Sequence, residues 1–341
     1  MTQYVGLDVS MEETSVCVLD AWGSILWEGS VESEPSAIVR LLHRRAPCAV
    51  KVGLETGPTS TWLWHELRAD GVPAICIDAR HAQAALSMRV NKTDRNDALG
   101  LAQLMRMGWY REVQVKQLAA HGDGALLASR ALLVRQRCEL ENQIRGLMKN
   151  VGLRARATKG NAFGQSVSAL CSRSALLKDV VMPLLEVWSQ LRRQIAVLTA
   201  RVRARAGASV TCRRLMTMPG VGPLTALAFQ SVLDDPARFK HSASVGAYVG
   251  LTPRSYASGQ IDRMGRISRC GDALMRSYLY EAANIMLTRS RSSNPLRSWA
   301  AKLAKRAGYK KARVALARKM AVVLHRMWVD GTDFGAPRQA A

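Results

Sequence analysis

Eight apolar residues, Leu177, Val181, Leu184, Trp188, Leu191, Ile195, Leu198 and Val202, step along the chain by four and three. That spacing averages 3.5 residues, and an α-helix turns it into one continuous seam. So long a seam needs something to cover it. Leu126, Leu133, Leu140, Ile144, Leu147 and Val151 supply a matching stripe, with Arg130 and Arg137 on the same line. Two long antiparallel helices are therefore predicted, forming a coiled-coil connector over residues 111–210. Arg154–Arg173, rich in Gly, Ser and basic residues, reads as the link between them. Pro183 interrupts the second stripe early, which marks either the first turn of its main helix or a kink.

The chain reads differently on either side of this connector. Residues 1–110 alternate in short periods: strands at Tyr4–Val9, Thr14–Asp20 and Ser24–Trp27, a helix at Pro35–Arg45 and a strand at Ala49–Glu55. A helix at Thr59–Ala69, a strand at Pro73–Ile77 and a helix at Thr93–Met107 follow. Three strands in succession before β-α units predict an α/β domain with a mixed sheet, antiparallel early and parallel late. Residues 211–333 read as a mostly α-helical domain, with helices at Arg213–Met218, Leu224–Leu233, Asp272–Thr288 and Lys310–Val329. Residues 334–341 read as a disordered tail.

Charge follows the same division. Residues 1–110 carry ten Lys and Arg against thirteen Asp and Glu, net −3, so the rest of this 341-residue chain, formally +23 overall, carries +26. A chain this basic is drawn to a polyanion, because neutralising phosphates releases condensed counterions. Nucleic acid leads the possible partners. An anionic membrane is the rival, but the uncharged run Leu215–Leu233 is broken by Pro219, Gly220, Gly222 and Pro223, and Met1–Asp8 lacks a signal peptide's pattern. Seven cysteines without a C-x-x-C pair indicate neither a zinc site nor a disulfide framework, which fits a reducing cytoplasm.

Four carboxylates stand at informative places. Asp8 closes the first strand in Val5-Gly6-Leu7-Asp8-Val9-Ser10, and Glu55 closes the fourth in Val52-Gly53-Leu54-Glu55-Thr56-Gly57. Asp94 and Asp97, in Lys92-Thr93-Asp94-Arg95-Asn96-Asp97-Ala98, share one face of a first helical turn, which Asp94 or Thr93 caps. Clustered carboxylates repel unless divalent cations sit between them, and hard oxygen ligands select Mg²⁺ or Mn²⁺ over zinc. Two such ions stabilise the attacking and leaving oxygens at a phosphodiester.

The order Asp, Glu, Asp-x-x-Asp over these elements resembles the RuvC-like branch of the ribonuclease H fold. The wording G-L-D-V-S, G-L-E-T-G and N-K-T-D-R-N-D-A resembles the DEDD transposases of the IS-one-ten family of insertion sequences. Further on, Arg254, Arg263, Arg266 and Arg269 fall within sixteen residues and are suited to clamping phosphate oxygens. Among them Ser258 precedes Gly259, a pair that is ordinarily a turn. The stretch from Gly250-Leu251-Thr252-Pro253 through Ser258-Gly259 to Gly271-Asp272 also resembles the family's C-terminal serine domain. On that resemblance Ser258 is the nucleophile, forming a covalent phosphoserine with DNA, while Ser255 precedes Tyr256 rather than a glycine. None of the six histidines is near in sequence, which leaves the arginines or the carboxylate-held metal to activate the hydroxyl. The resemblance favours the metal and a composite site.

Pro219-Gly220-Val221-Gly222-Pro223 resembles a helix-hairpin-helix turn, with Gly220 and Gly222 bringing backbone N–H groups to a phosphate; a plain interhelical turn is the other reading. Tyr248, Tyr256, Trp299 and Trp328 interleave with basic residues, as base-stacking or core rings. Two positions depart from the family pattern: Arg269 stands where Lys is common, and Pro58-Thr59 follows the Glu motif.

The resemblance spans Tyr4 to about Val329. It implies a prokaryotic, nucleoid-associated transposase that cuts and rejoins double-stranded DNA, with Mg²⁺ at Asp8, Glu55, Asp94 and Asp97, a structured noncoding guide RNA from the element, and a homo-oligomer, dimer or tetramer. The alternatives are a metal-only nuclease of the Holliday-junction resolvase type and a binding protein with a degenerate nuclease fold.

Overall fold

The computed structural model describes residues 1–86, 93–155, 161–172, 175–258, 261–290 and 294–335. The chain forms two compact units, Met1–Leu118 and Ala119–Ala341.

Unit 1 is built on a five-stranded sheet in the order β3-β2-β1-β4-β5. β1 (Gln3–Val9), β2 (Glu13–Leu19) and β3 (Ile25–Glu32) are antiparallel neighbours; β4 (Ala49–Glu55) and β5 (Ala74–Ile77) run parallel to β1. This is the mixed sheet expected from three strands followed by β-α units. β3 runs past the Trp27 end expected from sequence, because Gly29 and Ser30 pair with Val16 and Ser15 on an edge strand that needs no apolar run. On one face Val5, Leu7, Val52 and Leu54 pack against α1 (Pro35–Arg45) and α2 (Ser60–Ala69) through Ile38, Leu42, Leu63 and Leu67. A short α3 (Ala79–Leu86), unmarked by any apolar stripe, follows β5, and α4 (Asp94–Met107) covers the other face.

In unit 2, α5 (Leu118–Asn150) and α7 (Ala175–Ala208) are antiparallel: Asp123 meets Arg205, Arg130 donates to Thr199 Oγ1 (2.7 Å), and Glu141 accepts from Trp188 Nε1 (2.9 Å). Partner numbers rise on one helix as they fall on the other. The seam faces inward, with Leu177, Val181, Trp188, Ile195 and Val202 buried. Two expectations are corrected. Of the two readings of Pro183, the first turn is overturned, because α7 starts at Ala175 and the proline lies inside it. The predicted link contains α6 (Asn161–Cys171), whose Phe163, Val167 and Cys171 recur every four residues and close a core with Ile144, Met148, Val181 and Trp188. Residues 156–160 and 173 of that link lie outside the described residues.

The rest of unit 2 surrounds α9 (Pro223–Leu233), which is buried nearly all round. α8 (Val210–Leu215) precedes it, and α10 (Ala243–Tyr248), a hairpin of β6 (Pro253–Ser258) and β7 (Ile261–Ile267), α11 (Ala273–Thr288), α12 (Pro295–Ala307) and α13 (Tyr309–Val329) follow. The region is mostly helical, and Leu215–Leu233 divides between the end of α8, a glycine turn and α9. No helix among the described residues is long and apolar enough to cross a membrane. Phe334, within the predicted tail, is tied down by its N–H to Thr217 Oγ1 (2.9 Å) and packs on the core; residues 336–341 lie outside the described residues.

Candidate active site

In unit 1, parallel β1 and β4 end side by side. Leu7 is level with Leu54, so Asp8 and Glu55 stand one step further on, as neighbours at the same rim. Side chains alternate along a strand. Leu7 and Leu54 point into the core under α1 and α2, which puts Asp8 and Glu55 on the face covered by α4. Gly6 and Gly53 share that face and let α4 come close. A methyl at Gly6 would collide with the Ala98 carbonyl oxygen and Ala102 nitrogen and lie 2.9 Å from Leu101 Cβ; one at Gly53 would lie 2.7 Å from Met105 Cγ.

The direction of α4 follows from its ends. Near its C-terminus Gln103 donates to the Gly23 carbonyl (3.5 Å) and Arg106 to that of Ala21 (3.4 Å), in the β2–β3 turn at the far end of β1. Its first turn, bearing Asp94 and Asp97, is therefore directed toward the rim of Asp8 and Glu55. Thr93 Oγ1 caps this helix by accepting from the Asn96 N–H (3.2 Å), so neither aspartate is spent as a cap. Arg95 turns aside to pair with Glu28. Asp94 is exposed and Asp97 half-buried.

Sequence reasoning passed over Asp78, directly after β5, although an acid closing an apolar strand was already its signal at Asp8 and Glu55. Because Ile77 is level with Glu55, Asp78 extends the same rim. Hydrogen bonds from Arg80 Nε (3.2 Å) and Nη2 (3.1 Å) hold its carboxyl below the usual range against partial burial.

The donors are all hard oxygens, which suits a divalent cation of the Mg²⁺ class. Among the described residues no three His, Cys, Asp or Glu side chains are close enough together to hold a metal ion. The fold thus brings the four acids to one face and one end without drawing them into a finished coordination set.

In unit 2, Ser258 is the last described residue of β6, exposed beside the hairpin tip; Gly259 and Gln260 lie outside the described residues. Ser258 is level with Ile261 and Tyr256 with Arg263, so Ser258, Tyr256 and Arg263 lie on one face of the ribbon, while Ser255 falls on the other. Arg263, Arg266 and Arg269 are exposed. Arg254 is exposed too, with Nη2 donating to the Ser268 carbonyl (3.2 Å).

Both feet of the hairpin are locked backbone to backbone. Gly250 (φ 69°) leaves no room for a Cβ against the Cys270 carbonyl, nor does Gly271 (φ 75°) against that of Tyr248. From α11, Arg276 Nη1 donates to the carbonyls of Cys270 (2.8 Å) and Gly271 (2.9 Å), and at 3.5 Å to that of Val249.

Gly220 (φ 89°) abuts the Ala282 carbonyl on α11, whereas the space beside Gly222, the N-cap of α9, is open. Tyr248, Trp299 and Trp328 are packed against the core; Tyr256 alone of the four interleaved rings is 67% exposed.

Comparison with known proteins now decides the family. Residues 5–152 match a DEDD family of the IS110 type, described as "Transposase", and residues 212–298 match the family described as "Transposase IS116/IS110/IS902 family". The chain belongs to the IS110/IS116 family of transposases. Similar proteins include the transposase for insertion sequence element IS1111A of Coxiella burnetii, 29% identical over 94% of this chain and 88% of that protein. A probable family 20 transposase of Pseudomonas aeruginosa is 26% identical over 94% of this chain and 95% of its own length. A putative transposase of Sinorhizobium fredii is 30% identical over 71% of this chain and 64% of its own. The transposase is thus a DNA-cutting and rejoining enzyme, and its RuvC-like DEDD region goes with the use of divalent metal.

Proposed function

We propose that this transposase recombines double-stranded DNA of an insertion sequence through two sets of residues: Asp8, Glu55, Asp94 and Asp97 as ligands of Mg²⁺, and Ser258 as nucleophile. The observation that carries the proposal is the placing of Asp8 and Glu55 as neighbours on parallel strand ends, beneath a helix whose first turn bears Asp94 and Asp97. Like charges stand apart when nothing neutralises them. Bound divalent cations would supply charge neutralisation at the scissile phosphate.

Ser258 Oγ attacks phosphorus and gives up its proton; the Oγ–P bond forms as one phosphorus–nucleoside oxygen bond breaks, and that oxygen leaves as a hydroxyl. The phosphodiester energy is kept, so a second hydroxyl can reverse the step on another strand. Arg263, on the same ribbon face as Ser258, and Arg254, Arg266 and Arg269 nearby hold phosphate oxygens. Tyr256 offers an exposed ring for stacking on a base. Gly222, and Gly220 with it, would bring the start of α9 to the backbone of the duplex. The basic remainder of the chain holds a structured guide RNA from the element as well as DNA, in a homo-oligomer.

The test is a denaturing gel of the transposase incubated with end-labelled element DNA, copurifying RNA and Mg²⁺. The expected result is a label migrating with protein, lost for Ser258→Ala and kept for Ser255→Ala. Cleavage by Ser258→Ala at the wild-type rate, with no adduct from either protein, would establish a metal-only nuclease instead.

A further inference from the structure

We propose that the corner where α12 meets α13 is a separate contact for duplex DNA, gripping phosphates without reading sequence. The match to the transposase family ends at residue 298, ahead of this corner. Between Ala282 and Val329 there are twelve lysines and arginines and no acid, about half of the chain's net charge. Five of them, Lys302, Lys305, Arg306, Lys310 and Lys311, fall within ten residues and are exposed. A single residue, Gly308 (φ 84°), joins the two helices, so the five share one corner. None takes part in an ion pair among the described residues.

Solvation alone does not account for this pattern. α12 buries Ala300 and Ala304, which leaves its outer face open to any polar residue. Alternating signs would be cheaper there than Lys302 placed three and four residues before Lys305 and Arg306, because like charges at those spacings repel. The helix dipole favours Lys305 and Arg306 at the end of α12. It disfavours Lys310 and Lys311 in the first turn of α13, where no acid compensates. A corner held against both penalties has a use for its charge.

A transposase acts on DNA, and duplex DNA presents about one negative charge per 1.7 Å of axis. Unpaired RNA is the poorer fit: proteins hold unpaired bases on rows of aromatic rings, and Tyr309 is the one exposed ring here. The proposal uses no group assigned to the phosphoserine chemistry.

The experiment measures binding of a short random-sequence DNA duplex to the full-length chain over a range of KCl concentrations. Replacing Lys302, Lys305, Lys310 and Lys311 by Gln should make the slope of log K against log salt less negative by about 0.9 for each phosphate no longer neutralised, or about 2–4 in all. Replacing all four by Arg should restore it. A charge-matched control in the net-acidic first 110 residues, at the exposed Arg40, Arg44, Arg45 and Arg68, should shift the slope by less than about 1. Equal shifts in the two Gln variants would overturn the proposal by reducing it to net charge. So would a fall in affinity for a structured RNA with duplex binding intact. Ser258→Ala should keep the wild-type slope, so the outcome stands apart from that of the adduct experiment.

Discussion

Gly6→Ala puts the closest helix–sheet contact of unit 1 under strain. The added methyl would lie 2.9 Å from Leu101 Cβ and nearer still to two backbone atoms of α4, which cannot turn aside as a side chain would. Ordinary contact needs about 3.5–4.0 Å, so α4 must withdraw from β1 by roughly 1 Å. Overpacking of this kind costs about 1–3 kcal/mol, offset by up to about 1 kcal/mol from the stiffer unfolded chain. At about 4 °C per kcal/mol for a domain of this size, the net cost should lower the Tm of unit 1 by up to roughly 12 °C. The first turn of α4 moves with the helix, and a misplacement of about 1 Å near a catalytic centre costs on the order of 100-fold in rate. Scanning calorimetry and a cleavage time course at 25 °C would read the two effects. Gly57→Ala, whose added methyl meets nothing within 4 Å, is the control and should change neither. Wild-type Tm and wild-type cleavage for Gly6→Ala would refute both the packing argument and the assignment of Asp94 and Asp97.

Arg276→Ala removes the donor that ties α11 to both feet of the serine hairpin, and should slow adduct formation by about tenfold while leaving duplex affinity unchanged; an unaltered adduct rate would make the clamp incidental. Burial pushes the Cys76 and Cys212 thiols up to about 11, so at pH 8 both stay protonated and unreactive, with reactivity rising only as pH approaches that value. Iodoacetamide at pH 8 followed by peptide mass mapping should therefore modify Cys48, Cys138 and Cys270 and spare those two, and early labelling of Cys76 in folded protein would contradict the packing of unit 1.

Elements with clear periodicity were legible in the sequence to the residue. α1 and β4 have the bounds that their patterns predict, and the seam from Leu177 to Val202 faces inward as its spacing requires. Tertiary pairing was harder to read. The β6–β7 hairpin, PRSYAS and IDRMGRI, is mostly polar and its few apolar residues do not alternate, because among its described positions both faces are largely open to solvent. Its shape comes from cross-strand pairing and from the Gly250–Cys270 and Gly271–Tyr248 contacts, whose partners lie about twenty residues apart. α6 escaped notice because Phe163, Val167 and Cys171 are set among Gly, Ser and Ala. At the carboxylate rim, strand ends identified Asp8 and Glu55, but only the strand order makes them neighbours, and only the course of α4 turns Asp94 and Asp97 toward them.

The interdependence of carboxylates and serine is measured most directly by adduct yield against Mg²⁺ concentration for wild type, Asp8→Asn and Glu55→Gln, with duplex affinity recorded alongside. Adduct should rise with Mg²⁺ in the wild type, vanish on chelation, and be absent from both variants while they still bind DNA. Wild-type adduct yield from Asp8→Asn and Glu55→Gln, or full yield in EDTA, would contradict the account.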